Sequence, residues 1–215
     1  MNDTTKTHTE KTSTTETGTS RSGTAAGEPQ KISELLAAAA AQAAPVVRAI
    51  EETQLRDPTP CAEYDVRALL NHLIQVVINF QALAARQEVD LGDEGDFLGG
   101  DWRTEFTQQT DRLVTAWAAP GADEGTAGSM GLPARTVAHM VLGDLTVHAW
   151  DLARATGQEY TPPPAVLDEV SPALGQMAPM ARSAGVFGEP VTVADGATEL
   201  EKLLAATGRD PHWTR

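Results

Sequence analysis

The sequence has a single cysteine, few basic residues and no long hydrophobic run. Because Cys61 stands alone among 215 residues, the chain excludes an internal disulfide and a zinc knuckle built on several cysteines. The 16 basic residues are outnumbered by 30 acidic ones, and the net charge of −14 argues against nucleic acid or an anionic membrane as a partner. No stretch is apolar for long enough to cross a membrane or to act as a secretion signal. We therefore expect a soluble, cytoplasmic protein.

The first 30 residues differ in composition from the rest of the chain. Residues 1–30 are rich in Thr, Ser and Gly and contain almost no apolar side chains. Such a segment cannot bury enough surface to offset the entropy lost on ordering, so we predict a disordered tail. Residues 31–215 are long enough to form one folded domain with a sizeable core.

The remaining sequence has helical periodicity in several segments that are separated by loops rich in Pro and Gly. The predicted helices cover about 32–52, 66–86, 102–117, 134–156, 165–180 and 198–206. Ser33 is the expected N-cap of the first helix and Asp65 that of the second, while Gly157 is the expected C-cap of the fourth. Helices of this number, with little strand signal, favour an all-α bundle.

An acid and a histidine interrupt the apolar face of the predicted fourth helix. Asp144 and His148 are four residues apart, so both side chains can reach one point on a face that should pack into the core. Burying such groups without a partner is costly, and a bound metal ion would explain their presence. His72, in the predicted second helix, is the best candidate for a third ligand. Two imidazoles and one carboxylate would leave an open position, as in catalytic zinc sites.

The residue pattern alone also allows simpler interpretations. Asp144 and His148 could form only a hydrogen-bonded pair, and His72 could be an ordinary, partly buried histidine. Asp151 could accept a hydrogen bond from His148, serve as a fourth ligand, or be a surface acid. Two histidines and a carboxylate also bind iron in non-haem oxygenases, so the donors alone do not fix the metal. Cys61 is expected to be a small buried side chain, because no histidine lies at a useful spacing in the sequence to activate it.

Three blocks of the sequence resemble a known family. Residues 57–72 read Asp-Pro-Thr-Pro-Cys-Ala-Glu-Tyr-Asp-Val-Arg-Ala-Leu-Leu-Asn-His, which resembles the opening motif of the mycothiol-dependent maleylpyruvate isomerase family. Residues 143–157 look like the second block of that family, and residues 200–211 are similar to the closing segment of its single-domain actinobacterial members. The resemblance implies a DinB-like four-helix bundle, here with extra C-terminal helices.

The same resemblance implies a site and a chemistry. By matched position, zinc would be held by His72, Asp144 and His148. The helical spacing adds Asp151 as the residue that would orient His148. A small thiol, mycothiol in the family, would then attack an electrophile in a transfer or isomerisation reaction. The alternative is a non-catalytic bundle that binds a metal or senses a ligand. A small-molecule thiol and electrophile are thus the expected partners, and a bundle of this size is also compatible with a homodimer.

Two departures from the family limit what the resemblance implies. The family uses a glutamate where this chain has Asp144, whose side chain is one methylene shorter. The isomerase itself carries a further C-terminal domain, and we expect no such domain before Arg215. The resemblance therefore favours the metal-binding bundle more strongly than it favours the maleylpyruvate reaction.

Overall fold

The computed structural model describes residues 1–2, 30–90, 92, 95–128 and 131–215. The predicted disordered tail, residues 1–30, lies almost entirely outside the described residues. Within the described ranges the regular structure is helical, apart from one short antiparallel ribbon, so the predicted all-α class is confirmed. The ribbon pairs β1 (Thr126–Ala127) with β2 (Leu132–Pro133).

Six α-helices fall where the periodicity predicts them. They are α1 (Ile32–Ala49), α2 (Val66–Ala84), α3 (Trp102–Trp117), α4 (Ala134–Thr156), α5 (Pro164–Ser183) and α6 (Glu199–Ala206). Asp65 caps α2 by accepting a hydrogen bond from the backbone N of Ala68, and Gly157 ends α4 with a φ of 72°. The predicted cap of α1 is wrong: Lys31 occupies the N-cap position without a side-chain bond, and Ser33 is buried inside the first turn.

The first four helices form the bundle. α1 and α2 each pack against both α3 and α4, so α1 and α2 occupy opposite corners. The interior is apolar, and side chains from all four helices are fully buried there, for example Leu36, Leu73, Phe106 and Val141. α5 packs on α4, and α6 packs on α5, so the last two helices are additions to a four-helix core. Among the described residues, no helix is both long enough and apolar enough to span a membrane.

The C-terminal ends of α1 and α4 lie at the same end of the bundle, which we call the upper end. There the side chain of Gln158 donates to the carbonyl of Val46, joining the two helix ends at 3.0 Å. The first turn of α3 reaches the same end, because Arg103 donates to the carbonyl of Ile50. α1 and α4 thus run upward and α3 runs downward from this end.

A loop and the C-terminal segment cover the upper end. The loop between α1 and α2 is closed by Thr59, whose hydroxyl donates to the carbonyls of Cys61 and Tyr64. Beyond α6, residues 207–215 cross the end of α4, where Arg154 donates to the carbonyl of Trp213 at 2.7 Å. An ion pair between Arg215 and Asp57 then joins this segment to the loop. The two segments therefore bring residues that are distant in sequence next to α2 and α4.

Candidate metal centre

The ionisable face of α4 surrounds one imidazole with two carboxylates. Nε2 of His148 lies 3.7 Å from Oδ1 of Asp144, and Nδ1 lies 3.1 Å from Oδ2 of Asp151. The spacing of four and three residues places all three side chains on one side of the helix. Asp151 is completely buried and the His148 side chain is 8% exposed, whereas the Asp144 side chain is 32% exposed. Each ring nitrogen of His148 therefore faces its own carboxylate, one near solvent and one in the interior.

His72 contacts this cluster from α2, the helix that packs against α4. Its ring meets the ring of His148 edge-on, with 5.3 Å between the ring centroids. The ring of Tyr64 stacks on His72 at the same centroid distance, which fixes the plane of the imidazole. Burial lowers the pKa of His72, and the neighbouring His148 and Arg209 lower it further, while Asp144 opposes them. The shift favours the neutral imidazole, which is the form that binds a metal ion.

Arg209, in the C-terminal segment, contacts the buried carboxylate of Asp151. Its Nη2 lies 3.4 Å from Oδ2 of Asp151 and 3.4 Å from Sγ of Cys61. Its Nη1 donates to the carbonyl of Thr207, which holds the guanidinium in place. Burial raises the pKa of the Cys61 thiol, although the charge of Arg209 opposes the shift. In the described part of the chain, Oδ1 of Asp151 and Nε of Arg209 have no hydrogen-bond partner, which is unusual for buried polar atoms.

The structure brings the four predicted site residues, His72, Asp144, His148 and Asp151, into one cluster. The two other histidines among the described residues lie elsewhere: His139 bonds to Glu169 at 2.7 Å, and His212 is exposed. Ligation of a metal by the first three residues stays a prediction.

Three neighbours of this cluster were missed on sequence grounds. Tyr64 and Cys61 come from the loop, and Arg209 comes from the C-terminal segment. Cys61 was set aside because no histidine is near it in sequence, yet the fold places it beside His148. The ligand atoms of Cys61, His148 and Asp151 all lie within 4.8 Å of one another. No local sequence signal marks Arg209, because its partner Asp151 is 58 residues away.

The chemistry of the predicted donors fits a zinc ion. Two donors about 2.1 Å from zinc in tetrahedral geometry lie about 3.4 Å apart. The 3.7 Å between Nε2 of His148 and Oδ1 of Asp144 is close to that separation. Imidazole nitrogen and carboxylate oxygen are both common zinc ligands, and Asp151 contacts the remaining nitrogen of His148 as carboxylates do in histidine–zinc sites. Asp144 and His148 are therefore spaced to share a divalent ion, and His72 as the third ligand stays a prediction.

The fold and the site define the class of the protein: it is a helical bundle with histidines and carboxylates, the side chains of a candidate metal centre, gathered near one end. Residues 36–153, more than half of the chain, match the family described as the mycothiol maleylpyruvate isomerase N-terminal domain. The chain belongs to this family. The matched region runs from α1 into α4 and includes His72, Asp144, His148 and Asp151, whereas Arg209 lies outside it. Comparison with curated proteins and with solved structures gives no match.

Proposed function

We propose that the protein binds zinc through His72, Asp144 and His148 and uses a small thiol, of the mycothiol type, against a small electrophile. The observation that carries this proposal is the placement of Asp144 3.7 Å from Nε2 of His148, with the His72 ring against the same imidazole. Membership in the mycothiol maleylpyruvate isomerase N-terminal domain family supports the thiol. The reaction would be a transfer of the thiol or an isomerisation through a transient adduct.

Each residue of the cluster has a distinct part in this proposal. A zinc ion held there would act as a Lewis acid and lower the pKa of a coordinated thiol, which is about 8.5 for a free thiol. Asp151 orients His148 by contacting Nδ1, which leaves Nε2 for the metal side. The partial exposure of Asp144 leaves a route from solvent to the donors, while the buried His148 and Asp151 hold the geometry from within. Substrate would therefore approach from the Asp144 side.

The second candidate is a non-catalytic bundle in which a metal ion or a bound ligand only stabilises the fold. The completely buried Asp151 and its neighbour Arg209 favour this alternative, because buried charges are often structural. The two candidates differ in their consequences. A structural ion predicts a loss of stability on metal removal and no turnover, whereas the enzyme predicts thiol-dependent conversion of the electrophile.

The test combines metal analysis with an activity assay. The protein is purified without a metal-chelating tag, and its zinc content is measured. Loss of an electrophile such as maleylpyruvate is then followed in the presence of mycothiol, because an isomerisation returns the thiol unchanged whereas a transfer consumes it. His148→Ala should lose both zinc and activity. His139→Ala, on the same helix but outside the cluster, should keep both. Equal rates of electrophile loss in the wild type and His148→Ala would refute the enzyme, and iron in place of zinc would favour an oxygenase.

A further inference from the structure

His148 belongs to two overlapping sets of metal donors. Its Nε2 faces Asp144 and the His72 ring meets the same imidazole edge-on, and we call His72, Asp144 and His148 the Nε2 set. Its Nδ1 faces Asp151 and Cys61 lies close to both residues, and we call Cys61, His148 and Asp151 the Nδ1 set. The three donors of the Nδ1 set all lie within 4.8 Å of one another, and cysteine sulfur is a strong zinc ligand. Donor chemistry alone therefore does not explain why a metal would choose the Nε2 set.

Arg209 distinguishes the two sets. Its Nη2 lies 3.4 Å from two of the three donors of the Nδ1 set, Oδ2 of Asp151 and Sγ of Cys61. The guanidinium keeps its charge at every accessible pH, and Arg209 is only 7% exposed, so solvent screens that charge weakly. The hydrogen bond from Nη1 to the carbonyl of Thr207 holds the guanidinium next to the Nδ1 set. A divalent ion in the Nδ1 set would lie in contact distance of a fixed positive charge.

We propose that Arg209 keeps divalent metal ions out of the Nδ1 set and directs them to the Nε2 set. The guanidinium occupies the position that a cation would take between Cys61 and Asp151. It also contacts the same oxygen of Asp151 that faces Nδ1 of His148, which holds the imidazole with Nε2 toward Asp144. The proposal rests on the proposed function for the role of the Nε2 set. It adds a selecting residue from outside the matched family region.

The test uses cobalt(II) alone as the probe, because cobalt bound to a thiolate gives a near-ultraviolet charge-transfer band. Wild-type protein should bind cobalt(II) without that band. Arg209→Met removes the charge with little loss of length, and it should produce the band. Arg209→Met combined with Cys61→Ser should lose the band again. Arg209→Lys keeps a positive charge and should resemble the wild type, as should Arg154→Met, which alters another arginine that contacts the C-terminal segment.

The outcomes separate this proposal from the proposed function. If wild-type protein binds no cobalt(II) but Arg209→Met shows the thiolate band, the proposed metal site fails, and Arg209 still keeps metal ions out of the Nδ1 set. If the wild type binds cobalt(II) without the band and folded Arg209→Met also shows none, the selecting role is refuted and the proposed metal site stands. A thiolate band in the wild type that Cys61→Ser removes would also refute the selecting role.

A second measurement applies even if Arg209→Met does not fold. With Arg209 present, Cys61 takes no part in binding, so Cys61→Ser should leave the cobalt(II) dissociation constant unchanged. An increase of about tenfold or more would refute the proposal, because it would mean that the thiol contributes to binding in the presence of the guanidinium. Protection of Cys61 from alkylation by cobalt(II), measured on the same wild-type protein, would refute it as well.

Discussion

Oδ2 of Asp151 lies 3.1 Å from Nδ1 of His148, and this contact holds the imidazole from the interior of the bundle. Asp151 is completely buried and has Arg209 as a charged neighbour at 3.4 Å. A buried carboxylate without such partners would destabilise the fold, so the contact satisfies Asp151 and orients His148 at once. Because carboxylates that orient a ligating histidine usually contribute to metal affinity, the pair has a measurable consequence.

Asp151→Asn should weaken zinc binding while keeping the shape of the side chain. The neutral amide can turn either its oxygen or its NH2 group toward His148, so Nδ1 is no longer fixed as a donor. We expect zinc affinity to fall by about 10–100-fold, as for other residues that orient a ligating histidine. Competition with a chromophoric chelator measures this fall. Glu159→Gln, an exposed acid just after α4, is the control and should leave affinity unchanged; unchanged affinity in Asp151→Asn would contradict the orienting role.

Asp144 offers a test of the shorter acidic ligand. Asp144→Asn removes the negative charge facing Nε2 of His148, so zinc affinity should fall by about tenfold or more. Asp144→Glu restores the residue that the family resemblance leads us to expect, and it should retain binding. Since the Asp144 side chain is 32% exposed, the unfolding free energy of the metal-free protein should change by only about 0.5 kcal/mol. Equal zinc affinities for wild type, Asn and Glu would exclude Asp144 as a ligand.

The sequence predicts features that depend on one helix better than features that depend on the fold. The bounds of α3 and α4 agree with the periodicity, and Gly157 ends α4 as predicted, whereas Asp101, the N-cap of α3, was not predicted. The relation between Asp144, His148 and Asp151 was also accessible, since helical spacing alone puts them on one side. Ser33 shows the limit of such local signals, because the helix begins one residue before it.

The sequence did not predict contacts between segments that are far apart in the chain. Arg209 and Cys61 are 148 residues apart and meet only because the C-terminal segment and the loop before α2 cover the same end of the bundle. No spacing rule relates two residues on different loops. The stacking of Tyr64 on His72 was missed for the same reason, since it requires the loop to fold back over the start of α2.

Gly208 determines how the C-terminal segment enters the cluster. Its φ is 86°, and a Cβ there would lie 2.6 Å from the Cα of Gly188. The atom that this Cβ would meet belongs to the backbone and cannot move aside as a flexible side chain can. Gly208→Ala should therefore lower the unfolding free energy by about 1–3 kcal/mol. The strain should also displace the neighbouring Arg209. Denaturant unfolding measures the first effect. Gly196→Ala, where a Cβ meets no atom within 4 Å, is the matched control and should be nearly neutral.

Glu169 should give the protein a dependence on acid pH at the junction of α4 and α5. Burial alone would raise the pKa of Glu169, but hydrogen bonds from His139 and Arg135 outweigh it and lower the pKa below the ordinary 4.5. A carboxyl whose pKa is lower in the folded state than in the unfolded state stabilises the fold at any pH above its unfolded-state pKa. That contribution is lost as the pH falls through its folded-state pKa.

The expected result is that wild-type protein loses thermal stability below pH 4.5 more steeply than Glu169→Gln does. Melting temperatures measured across the acid range at constant ionic strength test this difference. Asp168→Asn, an exposed acid on the same helix, should follow the wild-type curve. If the Glu169→Gln and wild-type curves coincided, the contacts of Glu169 with His139 and Arg135 would contribute nothing to folding. A difference that persisted unchanged above pH 4.5 and below it would instead indicate packing, because only a titrating carboxyl makes the difference depend on pH.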